Sequence, residues 1–241
     1  MSVELEMNEY GQPVGSPVPS WEAAKLPDGS SLVGRFCKLV PMDIDAYGEQ
    51  LYDAFCNPIE EKDWTYLPPQ PFTCKEEFIS YYEKMSCTSD PYQFVIVDLN
   101  TGLAVGSIAL MRIDSANGVI EIGHVTFSKK LKKTAMATET IYLLMKYVFE
   151  DLGYRRLEWK CHTLNAPSWK SATRFGFTFE GIFRQAAVVK GRNRDTAWFS
   201  LLDYEFEKIR NGFVQWLDDS NFDSCGQQLH KLSELIQISA D

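Results

Sequence analysis

The chain has 241 residues, of which 45% are hydrophobic, and a formal net charge of −9, with six cysteines and three histidines. This length buries one sizeable core as a single domain with tails, and the acidic balance argues against general nucleic-acid binding. The cysteines form no CxxC pair, so neither a zinc site nor a disulfide framework is signalled and no metal is expected. No apolar run is long enough to cross a bilayer, and the expectation is a soluble cytoplasmic protein in a reducing compartment.

Residues 1–30, rich in Pro, Gly, Ser and Glu with isolated Tyr10 and Trp21, read as an arm. The domain is expected over 31–206, with a helical tail over 207–241. A short strand, SLVGRFCKLVPM, starts at Ser31, and DIDAYGEQLYDAF carries Ile44, Tyr47, Leu51, Tyr52 and Phe55 at helical spacing behind Asp43 as cap. The prolines and aromatics of NPIEEKDWTYLPPQPF make an irregular segment, either a pocket lip or a loop folded over the core by Trp64 and Phe72. A helix over Cys74–Met85, capped by Thr73, turns Phe78, Ile79 and Tyr82 inward. YQFVIVDL and LAVGSIALMRI form a hairpin around Asn100, Thr101 and Gly102, and a turn at Asn117 and Gly118 leads into residues 119–127.

There Val119, Glu121, Gly123, Val125 and Phe127 alternate against Ile120, Ile122, His124 and Thr126, which suits a strand covered on both faces. A helix over Ala135–Asp151 follows, with Ile141, Leu144, Met145, Val148 and Phe149 on its apolar side. RRLEWKCH is a further strand, with Leu157, Trp159 and Cys161 on one face. Asn165 caps a short helix that runs to Phe175 and stops at Gly176. FTFEGIFRQAAVVKG and RDTAWFSLLDYEF close a hairpin around Gly191, Arg192 and Asn193. The tail segment QQLHKLSELI, with Leu229, Leu232, Leu235 and Ile236 on one side, either covers the domain or joins a second copy in a homodimer. These elements make an α/β (α+β mixed) fold: a mixed, mostly antiparallel sheet of about seven strands, flanked by helices, with one β-α-β crossover.

Three features carry chemistry. Lys129, Lys130, Lys132 and Lys133 lie between a strand and a helix start, where unpaired N–H groups attract anions, so the turn reads as a cofactor-phosphate site or else as a solvated charge run. Glu121, inside an apolar strand, has a raised pKa suited to a general base or sits in a buried ion pair. His124 titrates in the useful range and is the weaker base candidate. Cys161, on an apolar face, reads as packing.

The order of elements, with EIG at Glu121–Gly123, LKKTAMATE and LGYRRLEWKCHTLNAPSWKSATRFGF, resembles the GNAT superfamily of acyl-CoA-dependent N-acetyltransferases, in its RimJ/RimL branch, over roughly Ser31 to Glu205. The resemblance implies a three-layer GNAT fold and transfer of an acetyl group from acetyl-CoA, the cosubstrate, to a primary amine. The acceptor is then a protein N-terminus or a small-molecule amine, attacking directly in a ternary complex. A non-catalytic acyl-CoA-binding relative is the alternative. On the family's Q/R-x-x-G-x-G/A turn, Lys132 takes the first position, Ala135 that of the glycine and Ala137 the last. Lys132, Lys133, Thr134, Ala135, Met136, Ala137 and Thr138 are thereby implied to cradle the phosphates. Two residues depart from the pattern: Ala135 replaces a glycine that lets backbone approach the pyrophosphate, and Lys132 lacks the planar fork of arginine.

The resemblance further implies that the pantetheine arm lies between the strand at 119–127 and that at Leu157–His162, with an N–H near Val125, Thr126 and Phe127 polarising the thioester carbonyl. Asn165 then contacts the arm and Ser168 protonates the departing thiolate, while Glu121 or a water takes the amine proton. Both Asn165 and Ser168 read as ordinary helix-start residues too. The acceptor pocket is implied between the first helices and the closing hairpin, which brings in Trp64, Tyr66, His124, Arg184 and Trp198.

Overall fold

Val-, Ile- and Phe-rich runs punctuated by Gly and Asn turns become strands in the structure, a computed structural model that describes residues 6–240. In the arm, β1 (Glu6–Met7) and β2 (Pro13–Val14) pair in a small hairpin. The main sheet contains β3 (Leu32–Val33), β4 (Cys37–Pro41), β5 (Tyr92–Asp98), β6 (Ala104–Asp114), β7 (Val119–Phe127), β8 (Arg156–His162), β9 (Thr178–Val189) and β10 (Arg192–Leu202). Its order is β3-β4-β5-β6-β7-β8-β10-β9, eight strands rather than about seven. Every neighbouring pair is antiparallel except β7 with β8.

The helices are α1 (Ile44–Cys56), α2 (Lys75–Ser86), α3 (Ala135–Lys146), α4 (Ala166–Arg174), α5 (Asp203–Leu217) and α6 (Leu232–Ala240). Leu51, Phe55, Phe78 and Tyr82 of α1 and α2 bury Val95 and Val97 on one face of the sheet. On the other face, Ile141, Leu144 and Met145 of α3 bury Ile96, Ile108, Ile120 and Ile122. The arm is bound to the domain: Trp21 Nε1 donates to the Ala116 carbonyl at 2.8 Å, and the Ala24 and Lys25 amides donate to Ser115 and Leu152.

The structure changes several expected boundaries, each for a local reason. The strand from Ser31 is broken in two because the buried Glu139 carboxylate of α3 accepts from the amides of Arg35, Phe36 and Cys37 at 2.6, 2.7 and 2.8 Å. A Cβ at Gly34 would lie 2.4 Å from Glu139 Cδ, so only glycine fits beside this anion. Cys74, not Thr73, stands at the α2 N-cap, while Thr73 bonds the Glu77 carboxylate through N and Oγ1. The long helix is α-helical only to Lys146 and ends in a π-helical turn over Tyr147–Asp151. The last hairpin turns at Lys190 and Gly191, both at positive φ (52° and 72°), and Arg192 and Asn193 belong to β10. The strand ends at Leu202, so α5 begins at Asp203 and spans the 206/207 division. Leu232 and Ile236 of α6 are buried, and a Cβ on Gly212 of α5 would meet the Ile236 backbone at 2.8 Å. This tail helix covers its own domain; Leu229 is exposed and precedes it.

Candidate active site

Parallel pairing of β7 with β8 runs from Val119–Arg156 to Ile122–Trp159 and stops. Both strands continue, to Phe127 and His162, so they splay apart and leave backbone N–H and C=O groups of each facing a gap. At the far end of β7 the chain turns through Lys129–Lys133 into α3. Thr134 caps that helix, its Oγ1 accepting from Ala137 N at 3.3 Å. Among the described residues the amides of Lys133, Thr134, Ala135 and Met136 have no partner, so four consecutive N–H donors stand at the mouth of the gap. Val125, Thr126 and Phe127 line the gap, Thr138 lies in the first turn of α3, and the Arg174 guanidinium of α4 reaches Thr138 Oγ1 at 3.1 Å. Arg174 meets α3 only through tertiary packing, which leaves no local sequence signal.

The four lysines divide into two pairs. Lys132 Nζ is 2.7 Å from Asp63 Oδ2 and Lys129 is bound to Glu60, whereas Lys130 and Lys133 make no ion pair among the described residues. Hydrogen bonds from Lys129 and Lys62 pull the Glu60 carboxyl down to about 2. These acids belong to the irregular segment between α1 and α2, which is held at two further points: Lys190 Nζ donates to the Trp64 carbonyl at 2.6 Å, and the Tyr66 hydroxyl to the Leu164 carbonyl at 2.9 Å. The segment therefore spans from the lysine turn to the start of α4, across the mouth of the gap.

On the other side of the gap, Asn165 accepts from Ser168 N at 3.3 Å as the α4 cap. Ser168 Oγ accepts from Trp159 Nε1 at 3.0 Å, which fixes the hydroxyl beside the last paired residue of β8. Cys161 is buried and its thiol is pushed up by that burial, which supports its reading as packing.

A bulge interrupts β7. Ser107 of β6 pairs with Thr126 and Ala109 with Gly123, so Ile108 opposes both His124 and Val125, and His124 has φ 50°. The extra residue advances the alternation by one. His124 and Thr126 thus share the face of Glu121 and Gly123, and Val125 and Phe127 pack with Ile120 and Ile122. The expected opposition of His124 to Glu121 does not occur. Glu121 lies in a ladder of charge that is buried at its centre and exposed at its ends: its Oε2 meets Lys160 Nζ at 2.8 Å and the exposed Arg112 Nε at 2.9 Å, Lys160 reaches Glu158 at 2.7 Å, and Arg156 joins Glu158 to Glu180. Burial raises the Glu121 pKa while Lys160 and Arg112 oppose the shift.

Of the residues expected around an acceptor, Trp64 and His124 line one narrow recess with Gln93, Ser107, Thr126 and Tyr82. Burial lowers the His124 pKa, which favours the neutral ring. Tyr66 instead pins the irregular segment to α4. Trp198 stacks on Phe183 under the Lys160 ammonium, 3.7 Å from its ring centroid, and Arg184 is exposed; neither lines the recess. Gln93, Asp63 and Glu60 join the site without any expectation from the sequence. A lone Gln in the apolar run YQFVIVDL was a signal for the first.

Residues 39–178 match the family model described as an acetyltransferase (GNAT) domain. The chain belongs to the GNAT acetyltransferases. It is similar to the crystal structure of a GCN5-related N-acetyltransferase from Brucella melitensis, with 44% identity and a TM-score of 0.88 over 91% of this chain and all of that one. A GNAT-family structure from Chromobacterium violaceum is 39% identical, with a TM-score of 0.76 over 81% of this chain and 98% of the other. The uncharacterized N-acetyltransferase p20 of Bacillus licheniformis is 30% identical over 64% of this chain and 88% of its own length. A GNAT domain implies acyl-CoA use, and the splayed strands with four free amides fit such a molecule. No helix among the described residues is long and apolar enough to cross a membrane.

Proposed function

We propose that this GNAT N-acetyltransferase acetylates a primary amine by direct attack within a ternary complex. The observation that carries this reading is the end of parallel pairing at Ile122–Trp159, in line with the free amides of 133–136. Acetyl-CoA supplies an activated acetyl group: the amine's nitrogen–carbon bond forms as the carbon–sulfur bond breaks, the amine loses one proton and the sulfur gains one. Lys130, Lys133 and the amides of 133–136 hold the phosphates, with Lys132 joining them when it leaves Asp63. Backbone amides of Val125–Phe127 stabilise charge on the carbonyl oxygen. Asn165 orients the arm. Ser168 gives the thiolate its proton, since the Trp159 indole occupies a lone pair of Oγ and leaves the O–H to donate. Glu121 is committed to Arg112 and Lys160, so the amine proton leaves through water in this reading. Screening an amine library with acetyl-CoA, reading free thiol release, tests activity and acceptor class together. No release with any amine, under conditions in which CoA raises the melting temperature, would sink the proposal.

A further inference from the structure

The face of the sheet under α1 and α2 holds a polar group that the steps above do not use. Gln93, on β5, is only 5% exposed, and it lines the narrow recess beside the β7 bulge. Its Nε2 stands 3.4 Å from His124 Nδ1, so the amide donates to the neutral ring, but its Oε1 has no hydrogen-bond partner. A buried amide oxygen without a donor destabilises the fold unless something else supplies one.

Of the hydroxyls deep in the recess, Tyr82 and Ser107 share a hydrogen bond at 3.3 Å and Thr126 Oγ1 donates to the His124 carbonyl, whereas His124 Nε2, the N–H of the ring when Nδ1 accepts, makes no hydrogen bond among the described residues. Gln93 Oε1 is therefore the acceptor left over at this point. The recess has room for about one water-sized group, the size of an amine head. Its rim is Trp64, Leu67, Pro68, Pro69 and Tyr81, apolar or aromatic. No carboxylate lines it, and Glu121 on the same face is already bound by two cations. An ammonium would lose water there without gaining a counter-charge, whereas a neutral N–H donor gains a partner.

We propose that Gln93 determines acceptor specificity: its Oε1 takes an N–H of the neutral amino group of a primary amine on an apolar stem, and the apolar rim selects that stem over a polycation. This rests on the acetyl-transfer reading and names its substrate class. His124, by holding Nε2, keeps the amide oxygen turned to the incoming amine.

The test uses the full chain with acetyl-CoA and phenethylamine as probe. Wild type should acetylate phenethylamine at least about tenfold more efficiently than spermidine, which lacks an apolar stem, or N-methylphenethylamine, whose added methyl group exceeds the room for one amino head beside the Gln93 acceptor. Gln93→Leu should raise the KM for phenethylamine about tenfold or more while the KM for acetyl-CoA is unchanged. Equal KM values in wild type and Gln93→Leu, or a wild-type preference for spermidine, would overturn the assignment. The wild-type selectivity needs no variant, so it decides the matter even where Gln93→Leu does not fold. CoA protection against heat in wild type without transfer to phenethylamine overturns this inference alone; absence of CoA protection removes the acetyl-transfer reading beneath it.

Discussion

Two groups of charge lie along β7 and behave in opposite ways. Near its start, Glu121 is buried among Arg112, Lys160 and Glu158, and the Lys160 and Glu158 side chains are only 6% and 8% exposed. Beyond its end, Lys132 and Asp63 pair with side chains 41% and 35% exposed. Within the first group Glu121, Lys160 and Glu158 have little solvent to fall back on, so each depends on its neighbours being present, while Arg112 reaches Glu121 from an exposed position. The second holds its partners loosely and can exchange them for a ligand's oxygens at little cost. In this chain, buried and closed charge builds the sheet, and exposed and divisible charge is what is left to bind.

Removing one member should hurt the buried group most. Lys160→Ala leaves Glu121 and Glu158 facing each other without the cation that joins them, and should cost about 3–5 kcal/mol in urea unfolding. A loss below about 1 kcal/mol would mean that water reaches the ladder and that the contrast with the lysine turn is false. Next comes Ser168→Ala, which should lower kcat by roughly ten- to a thousand-fold at unchanged CoA affinity. It also removes the acceptor of the Trp159 indole, so a stability loss of about 1 kcal/mol should accompany it, and Ser168→Thr should restore both. Unchanged kcat with the stability loss alone would make Ser168 a packing residue.

Much of this could be read in the sequence, because local rules dominate there. The strand 119–127, the Asp43 and Asn165 caps, the crossover at β7–β8 and the lysine turn follow from alternation, capping chemistry and helical spacing. What could not be read depends on contacts distant in sequence. Glu139 breaks the first strand by binding amides about a hundred residues away. The bulge at His124 exists only against β6, and one inserted residue moved a candidate base to the other face. Asp63 and Glu60 gave no hint that they would neutralise two of the four lysines, since pairing across that distance leaves no periodic trace.

The exposed group supplies the smaller effects. Lys132→Glu with Lys133→Glu should abolish most of the rise in melting temperature that CoA gives the wild type, because two added carboxylates oppose the phosphates. Exposed charge changes alter the free protein's stability little, so its own melting temperature is the control. An unchanged CoA shift would put the phosphates elsewhere.

The smallest effect has the most telling sign. If Asp63 only tethers the irregular segment near the gap, Asp63→Asn should loosen the segment and leave CoA affinity unchanged or weaker. If Asp63 occupies Lys132 in place of a phosphate, the same change frees the ammonium before the ligand arrives, and CoA should bind more tightly. An exposed ion pair is worth at most about 1 kcal/mol, so the gain should not exceed roughly fivefold in Kd. It should also shrink as salt is raised, since the competition is electrostatic and poorly shielded only at low ionic strength. Titration calorimetry of wild type and Asp63→Asn with CoA, at two salt concentrations, reads both points. Tighter binding at low salt would mark the lysine turn as a site whose partners exchange; equal or weaker binding would make Lys132–Asp63 as fixed as the ladder around Glu121.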